Sequence, residues 1–249
     1  MSDKIILKVE ELKKEYKSLK AVDGVSFSIK AGQIVGLLGP NGAGKTTTIN
    51  MILRILEPTS GTIEVGGKNF LTEECSDVIK KMNFAAVYAQ LPSNLTIFQN
   101  LYVFGLLYEV PNLRKKIKEL MQEFDLEQFA NVKAGVLSSG EMSRLNLAKA
   151  VINEPMLLLL DEPTASLDPS ISHLVREKIK DYAARTGAAV LWTSHDMQEI
   201  TDVCDQVLFL SHGKILLSGD PKTLPTAYGK KDLEELFISV ARQPLEFEQ

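Results

Sequence analysis

Alternation of apolar and polar residues marks Ile5 to Glu10 and Val25 to Ile29 as half-buried strands, and Thr62 to Val65 adds another after the turn at Gly61. The run Ile34 to Leu38 is apolar throughout, and a helical pattern follows from Thr47 to Leu56. A short strand is expected at Ala85 to Ala89, then a long helical stretch from Ile97 to Phe129 interrupted at Pro111-Asn112. Beyond residue 155 strand and helix alternate: Leu157 to Leu160, Ser170 to Ala184, Ala188 to Thr193 and Met197 to Cys204. Short strands at Gln206 to Leu210 and Lys214 to Ser218 precede a last helical pattern from Lys231 to Ala241. The beginning therefore reads as partly antiparallel and the second half as a mainly parallel sheet, an α/β class. One module is expected, with a core from 1–79 and 154–220, a helical lobe over about 80–153 and a short tail, 221–249.

Residues 39 to 46, Gly-Pro-Asn-Gly-Ala-Gly-Lys-Thr, lie between the Ile34 to Leu38 strand and the Thr47 helix, the context in which a phosphate-binding loop works. Gly39, Gly42 and Gly44 let the backbone curl so that its N–H groups face a phosphate, with Pro40, Asn41 and Ala43 completing the loop. Lys45 supplies a point charge to the β- and γ-phosphates and Thr46 a hydroxyl to Mg²⁺, while the helix that Thr47 opens adds its N-terminal dipole.

The run Met156 to Leu160 ends in Asp161 and Glu162, which fits a central strand with carboxylates at its C-terminal edge, where parallel sheets bind ligands. Asp161 is suited to Mg²⁺ and Glu162 to polarising a water that attacks ATP. His195 leaves the next strand at the same edge and can meet the γ-phosphate or order that water. Gln90, after the Ala85 to Ala89 strand, can reach Mg²⁺ or water through its amide oxygen.

Composition narrows the classes. Lys and Arg total 28 against 32 Asp and Glu, a net charge of −4, which argues against coating nucleic acid. The opening Met-Ser-Asp-Lys lacks a secretory pattern, and no apolar run approaches the 18 or so residues that span a bilayer. A cytoplasmic location is expected, at the membrane only if a partner holds the chain there. Cys75 and Cys204 lie far apart without metal-ligand spacing and read as free thiols.

Taken in order, these motifs resemble the ATP-binding cassette (ABC) family of P-loop ATPases, and the resemblance runs from Tyr16 to the loop after Gly219. It implies a mainly parallel core sheet, an N-terminal antiparallel β subdomain and an inserted helical subdomain. By the same resemblance Tyr16 stacks on adenine, Gln90 is the Q-loop glutamine, and Asp161 and Glu162 are the Walker B acid and catalytic base. Ser166-Leu167-Asp168 matches the D-loop and His195 the switch histidine. The signature Leu-Ser-Gly-Gly-Gln corresponds to Leu137-Ser138-Ser139-Gly140-Glu141, departing at Ser139 and Glu141, with Arg144 and Leu145 continuing the pattern. Glu141 should repel phosphate unless it points away or meets a cation, so reduced function is expected at this motif.

Family resemblance further implies that the signature completes the site of a second cassette, giving a homodimer or a pair with a similar ATPase. Integral membrane permease subunits would dock near Gln90 to Gly105, where Leu91, Leu95, Ile97, Phe98 and Leu101 supply apolar material. The stretch Leu95 to Leu101 with Phe104-Gly105 resembles exporter-type ATPases of the drug, antibiotic, polysaccharide and ABC-2 group. A peripheral subunit on the cytoplasmic membrane face is therefore expected, hydrolysing ATP to drive export. The alternatives are an importer ATPase, a soluble cassette in iron–sulfur assembly or another role, and a binding module that has lost turnover.

Overall fold

Leu157 and Leu159 enter one apolar cluster and Leu158 and Leu160 another, so the strand β7 (Leu157–Asp161) must be covered on both sides. The computed structural model describes residues 3–17, 19–70, 72, 74–86, 91–165 and 167–241. In it β7 lies inside a sheet ordered β10-β9-β3-β8-β7-β6, with β3 at Ile34–Leu38, β6 at Met82–Ala86 and β8 at Ala189–Ser194. β9 (Gln206–Ser211) runs parallel to β3, and β10 (Lys214–Gly219) returns antiparallel. A second sheet, ordered β2-β1-β4-β5, joins β1 (Ile5–Tyr16), β2 (Leu19–Lys30), β4 (Ser60–Val65) and β5 (Lys68–Asn69). Its pairings are antiparallel, as the alternating sequence predicts.

The antiparallel sheet and α1 (Lys45–Ile52) cover one face of the parallel sheet: Leu7, Val9, Ile49 and Ile52 share a cluster with Leu157, Leu159 and Leu191. The other face is covered by α5 (Ser139–Ala150), α6 (Pro169–Thr186), α7 (Met197–Val203) and α9 (Leu233–Ala241). Between β6 and β7 the chain forms α3 (Ile97–Leu107), α4 (Leu113–Glu123) and α5. The break between α3 and α4 falls at the expected place, and Asn112 has positive φ there.

Several elements differ from the expectation. β1 continues to Tyr16 through the polar Glu11 to Glu15, because pairing with β2 and β4 supplies the hydrogen bonds that side-chain alternation does not advertise. β6 begins upstream of the expected Ala85, since its buried Asn83 is satisfied by Asn153 Oδ1 at 2.8 Å and by the Lys149 carbonyl at 3.3 Å. It pairs with β7, so this sheet strand falls inside the segment expected for the helical lobe. Residues 87–89 of that expected strand lie outside the described residues. The short helices α2 (Ser76–Ile79) and α8 (Leu224–Ala227) carry no clear apolar period. Of the apolar residues expected near a partner surface, Leu91, Ile97 and Leu101 are core. Val103, Leu106 and Leu107 are the exposed apolar side chains of α3.

Substituting Leu159, fully buried, by alanine should lower stability by about 2–5 kcal/mol. Leu107→Ala, on a side chain 69% exposed, should change it by no more than about 0.5 kcal/mol. Chemical denaturation followed by fluorescence of the buried Trp192 measures both.

Candidate active site

Parallel pairing brings the C-terminal ends of β3, β7 and β8 to one edge, with Leu38 beside Ser194 and Asp161 beside Thr193. The loop after β3 closes on Gly44, whose φ of 108° is open to glycine, and a Cβ there would lie 2.5 Å from the Ala21 carbonyl oxygen. A Cβ on Gly39 would meet the Leu210 carbonyl oxygen at 2.2 Å. Gly44 leaves the N-terminus of α1 without a side-chain cap, so its orphan N–H groups and dipole are available to an anion.

A cavity of about 630 Å³ opens over this loop, walled by Tyr16, Pro40 to Thr47, Asp161 and Glu162. Its volume suits a nucleotide. Lys45 is buried and donates to the carbonyls of Gly39 at 2.6 Å and Pro40 at 3.2 Å. Burial pushes its ammonium below the usual lysine range, against the opposing pull of Glu162 and Asp161. A polyanion in the cavity would offer this cation stronger partners than two carbonyls.

Asp161 and Glu162 are held by a residue that sequence reasoning did not single out. The Thr193 hydroxyl donates to Asp161 Oδ1 at 2.6 Å and accepts from the Glu162 N–H at 3.0 Å. Glu162 itself sits at φ 50°, a conformation uncommon outside glycine, which turns the chain sharply out of β7. Its Oε2 lies 3.1 Å from His195 Nδ1. Behind the pair, buried Glu199 of α7 accepts from the Thr164 hydroxyl and links the loop after Glu162 to the helix that follows His195. Lys20 and His212 also line the cavity without any motif to announce them.

Asp161 and Thr46 share the cavity, and no group of three or more His, Cys, Asp or Glu that could hold a metal occurs among the described residues. One carboxylate and one hydroxyl beside a phosphate site is the donor set Mg²⁺ takes, since it completes its shell with phosphate oxygens and water. Gln90 and Ser166 lie outside the described residues.

The signature residues are not among the cavity's walls. Ser138 caps α5, its Oγ accepting from the Glu141 N–H at 3.3 Å, while Glu141 Oε2 accepts from the Ser138 N–H at 2.8 Å. The carboxylate thus turns back onto its own helix, and the Ser138 N–H holds it below the usual glutamate range. Gly140 packs against Ile171 of α6, and Ser139 lines a separate apolar cavity with Met142 and Leu167. Asp168 caps α6, with Oδ1 accepting from the Ser170 and Ile171 N–H groups.

A family model described as ABC transporter matches residues 22–165. The Nod factor export ATP-binding protein I of Ralstonia nicotianae is 36% identical over 234 residues, covering 93% of this chain and 72% of that protein. A solved ATP-binding subunit of an ABC transporter superposes with a TM-score of 0.84 at 27% identity, over 95% of this chain and 100% of that one. A dimeric ATP-binding cassette in a post-hydrolysis state with ADP and Pi gives a TM-score of 0.76 at 26% identity, covering 86% of this chain and 98% of that one.

Thr193→Val should lower stability by about 1–3 kcal/mol, because it removes the shared partner of Asp161 and the Glu162 N–H. Urea unfolding at neutral pH tests this. The Glu141 interaction should be pH-dependent: with its folded-state pKa depressed, its stabilisation is complete above the unfolded glutamate value near ~4.3 and is lost as pH falls through the lower folded value. The stability gap between wild type and Glu141→Gln, measured at a series of pH values, should therefore close in acid.

Proposed function

The chain belongs to the ABC transporter family as an ATP-hydrolysing subunit, and on that premise we propose that Glu162 and His195 form its hydrolytic pair and that turnover drives export through membrane-spanning partners. The observation that carries the reading is the 3.1 Å approach of His195 Nδ1 to Oε2 of Glu162, a carboxylate that lines the cavity containing Lys45.

The backbone of residues 39–46 and the Lys45 ammonium bind the phosphates, and Tyr16 offers its ring to the base. Thr46 and Asp161, with Gln90, hold Mg²⁺, which when bound neutralises phosphate charge and orients the β- and γ-phosphoryl groups. Glu162 orients a water whose oxygen bonds to the γ-phosphorus as the bond from that phosphorus to the ADP oxygen breaks; the departing proton moves to the carboxylate. With Nδ1–H donating to Oε2, the imidazole keeps the carboxylate from swinging away.

The ST-capped start of α5, Ser138 to Glu141, serves a second cassette, which we take to be another copy of this chain, with Asp168 near the same interface. Hydrolysis would then reverse an ATP-dependent association. Among the described residues no helix is long and apolar enough to cross a membrane. In this reading the transport path belongs to separate permease subunits, with the chain docked on them at the cytoplasmic face. The exported substrate is chosen there. Export rather than import follows the role of the Nod factor export protein of Ralstonia nicotianae.

Glu162→Gln should reduce ATP turnover by about 10²–10⁴-fold while keeping ATP bound. ATP should shift this variant to a dimer in light scattering. Gently solubilised membranes should yield the chain with a stoichiometric multi-span protein, identified by mass spectrometry; exclusively soluble partners would remove the transporter reading.

A further inference from the structure

Another cavity, about 390 Å³, adjoins the Glu162–His195 pair, its walls including Gly39, Asn41, Glu162, His195, Met197 and Phe237. Phe237 comes from α9, beyond every motif of the nucleotide site. We propose that Phe237 is a positioning residue for ATP hydrolysis, its ring limiting the positions that the His195 imidazole can take beside Glu162. The proposal rests on the assignment of Glu162 and His195 as the hydrolytic pair.

The pair needs such support. Its side chains are 69% exposed for His195 and 31% for Glu162, and a solvated contact of this kind is weak. That is too little to hold an imidazole in one orientation. An aromatic wall on one side removes some of the alternative positions of the imidazole.

Phe237 is itself well fixed. Its ring meets Phe209 of β9 with centroids 4.4 Å apart and planes at 59°. Leu233 and Leu236 are buried, and with Phe237 and Val240 they give α9 an apolar stripe at helical spacing. The helix is started by Asp232, whose Oδ1 accepts from the Glu235 N–H at 2.8 Å. α9 packs against α7, the helix that begins immediately after His195 and its neighbour Asp196. Helix α9 thereby meets both the sheet, at Phe209, and the helix that follows His195.

The test is steady-state ATPase kinetics and ADP binding on the full chain, comparing wild type with Phe237→Ala, Phe237→Tyr, Ile238→Ala and Glu162→Gln. Phe237→Ala should lower kcat roughly tenfold, with ATP KM and ADP affinity within about twofold of wild type. Phe237→Tyr, which keeps the ring, should restore turnover, and Ile238→Ala, exposed on the same helix, should leave it unchanged. An unchanged kcat in Phe237→Ala, or a loss shared by KM and ADP affinity, overturns the proposal. If Phe237→Ala does not fold, Phe237→Leu carries the comparison, and turnover at the wild-type level overturns it equally. An active Glu162→Gln would instead remove the hydrolytic assignment on which the proposal stands.

Discussion

Parallel pairing of β3, β8 and β7 is the constraint from which the site follows. A strand such as Leu157 to Leu160 has apolar side chains on both faces, so it is stable only with layers above and below, and its connections must pass outside the sheet ends. The loops after β3, β7 and β8 then converge on one edge. Register does the finer work: Asp161 opposite Thr193 puts a hydroxyl between Asp161 and the Glu162 N–H, and Leu38 opposite Ser194 sets the loop at residues 39–46 beside the turn to His195. A slip of one residue would invert the faces of four successive leucines as well as separate these groups, so core packing and site geometry are specified together.

The charge of the site is arranged around a cation that the fold partly desolvates. Lys45 sits on the loop's own carbonyls, with Asp161 and Glu162 opposing the effect of burial on its ammonium. Such a group is held near its working position while still lacking a full complement of strong acceptors. The start of α1 is in the same condition, its first N–H groups lacking a side-chain cap. A triphosphate would satisfy the cation and these amides at once.

Motif chemistry and the two-faced strands were legible because they depend on spacing: residues 39–46, the acids after Leu160, and His195 after the next strand all stand at the edge the pattern implied. What escaped the sequence depends on contacts between distant segments. Thr193 looks like any β-branched strand residue until Asp161 is beside it. The polar half of β1 has no alternation to read, and β6 was displaced by Asn83, whose burial is balanced by partners some seventy positions away. Phe237 resembles a simple core residue in a helical stripe, and only the fold brings it to the catalytic edge.

Glu141 shows how a departure from a family pattern can be stable locally and consequential at a distance. Within the chain its carboxylate closes the capping box of α5 with Ser138. The start of α1, by contrast, has glycine at its cap and no side chain on its donors. Both helix ends are built for negative charge, but α5 already has one from its own sequence. A γ-phosphate approaching α5 must therefore displace a carboxylate from the Ser138 N–H or accept a like charge in the same field. Either course would weaken a nucleotide contact with this helix relative to one whose cap is neutral, while leaving the loop at residues 39–46 untouched. On the proposed pairing of cassettes, the departure would act on ATP-dependent association rather than on nucleotide capture by the single chain.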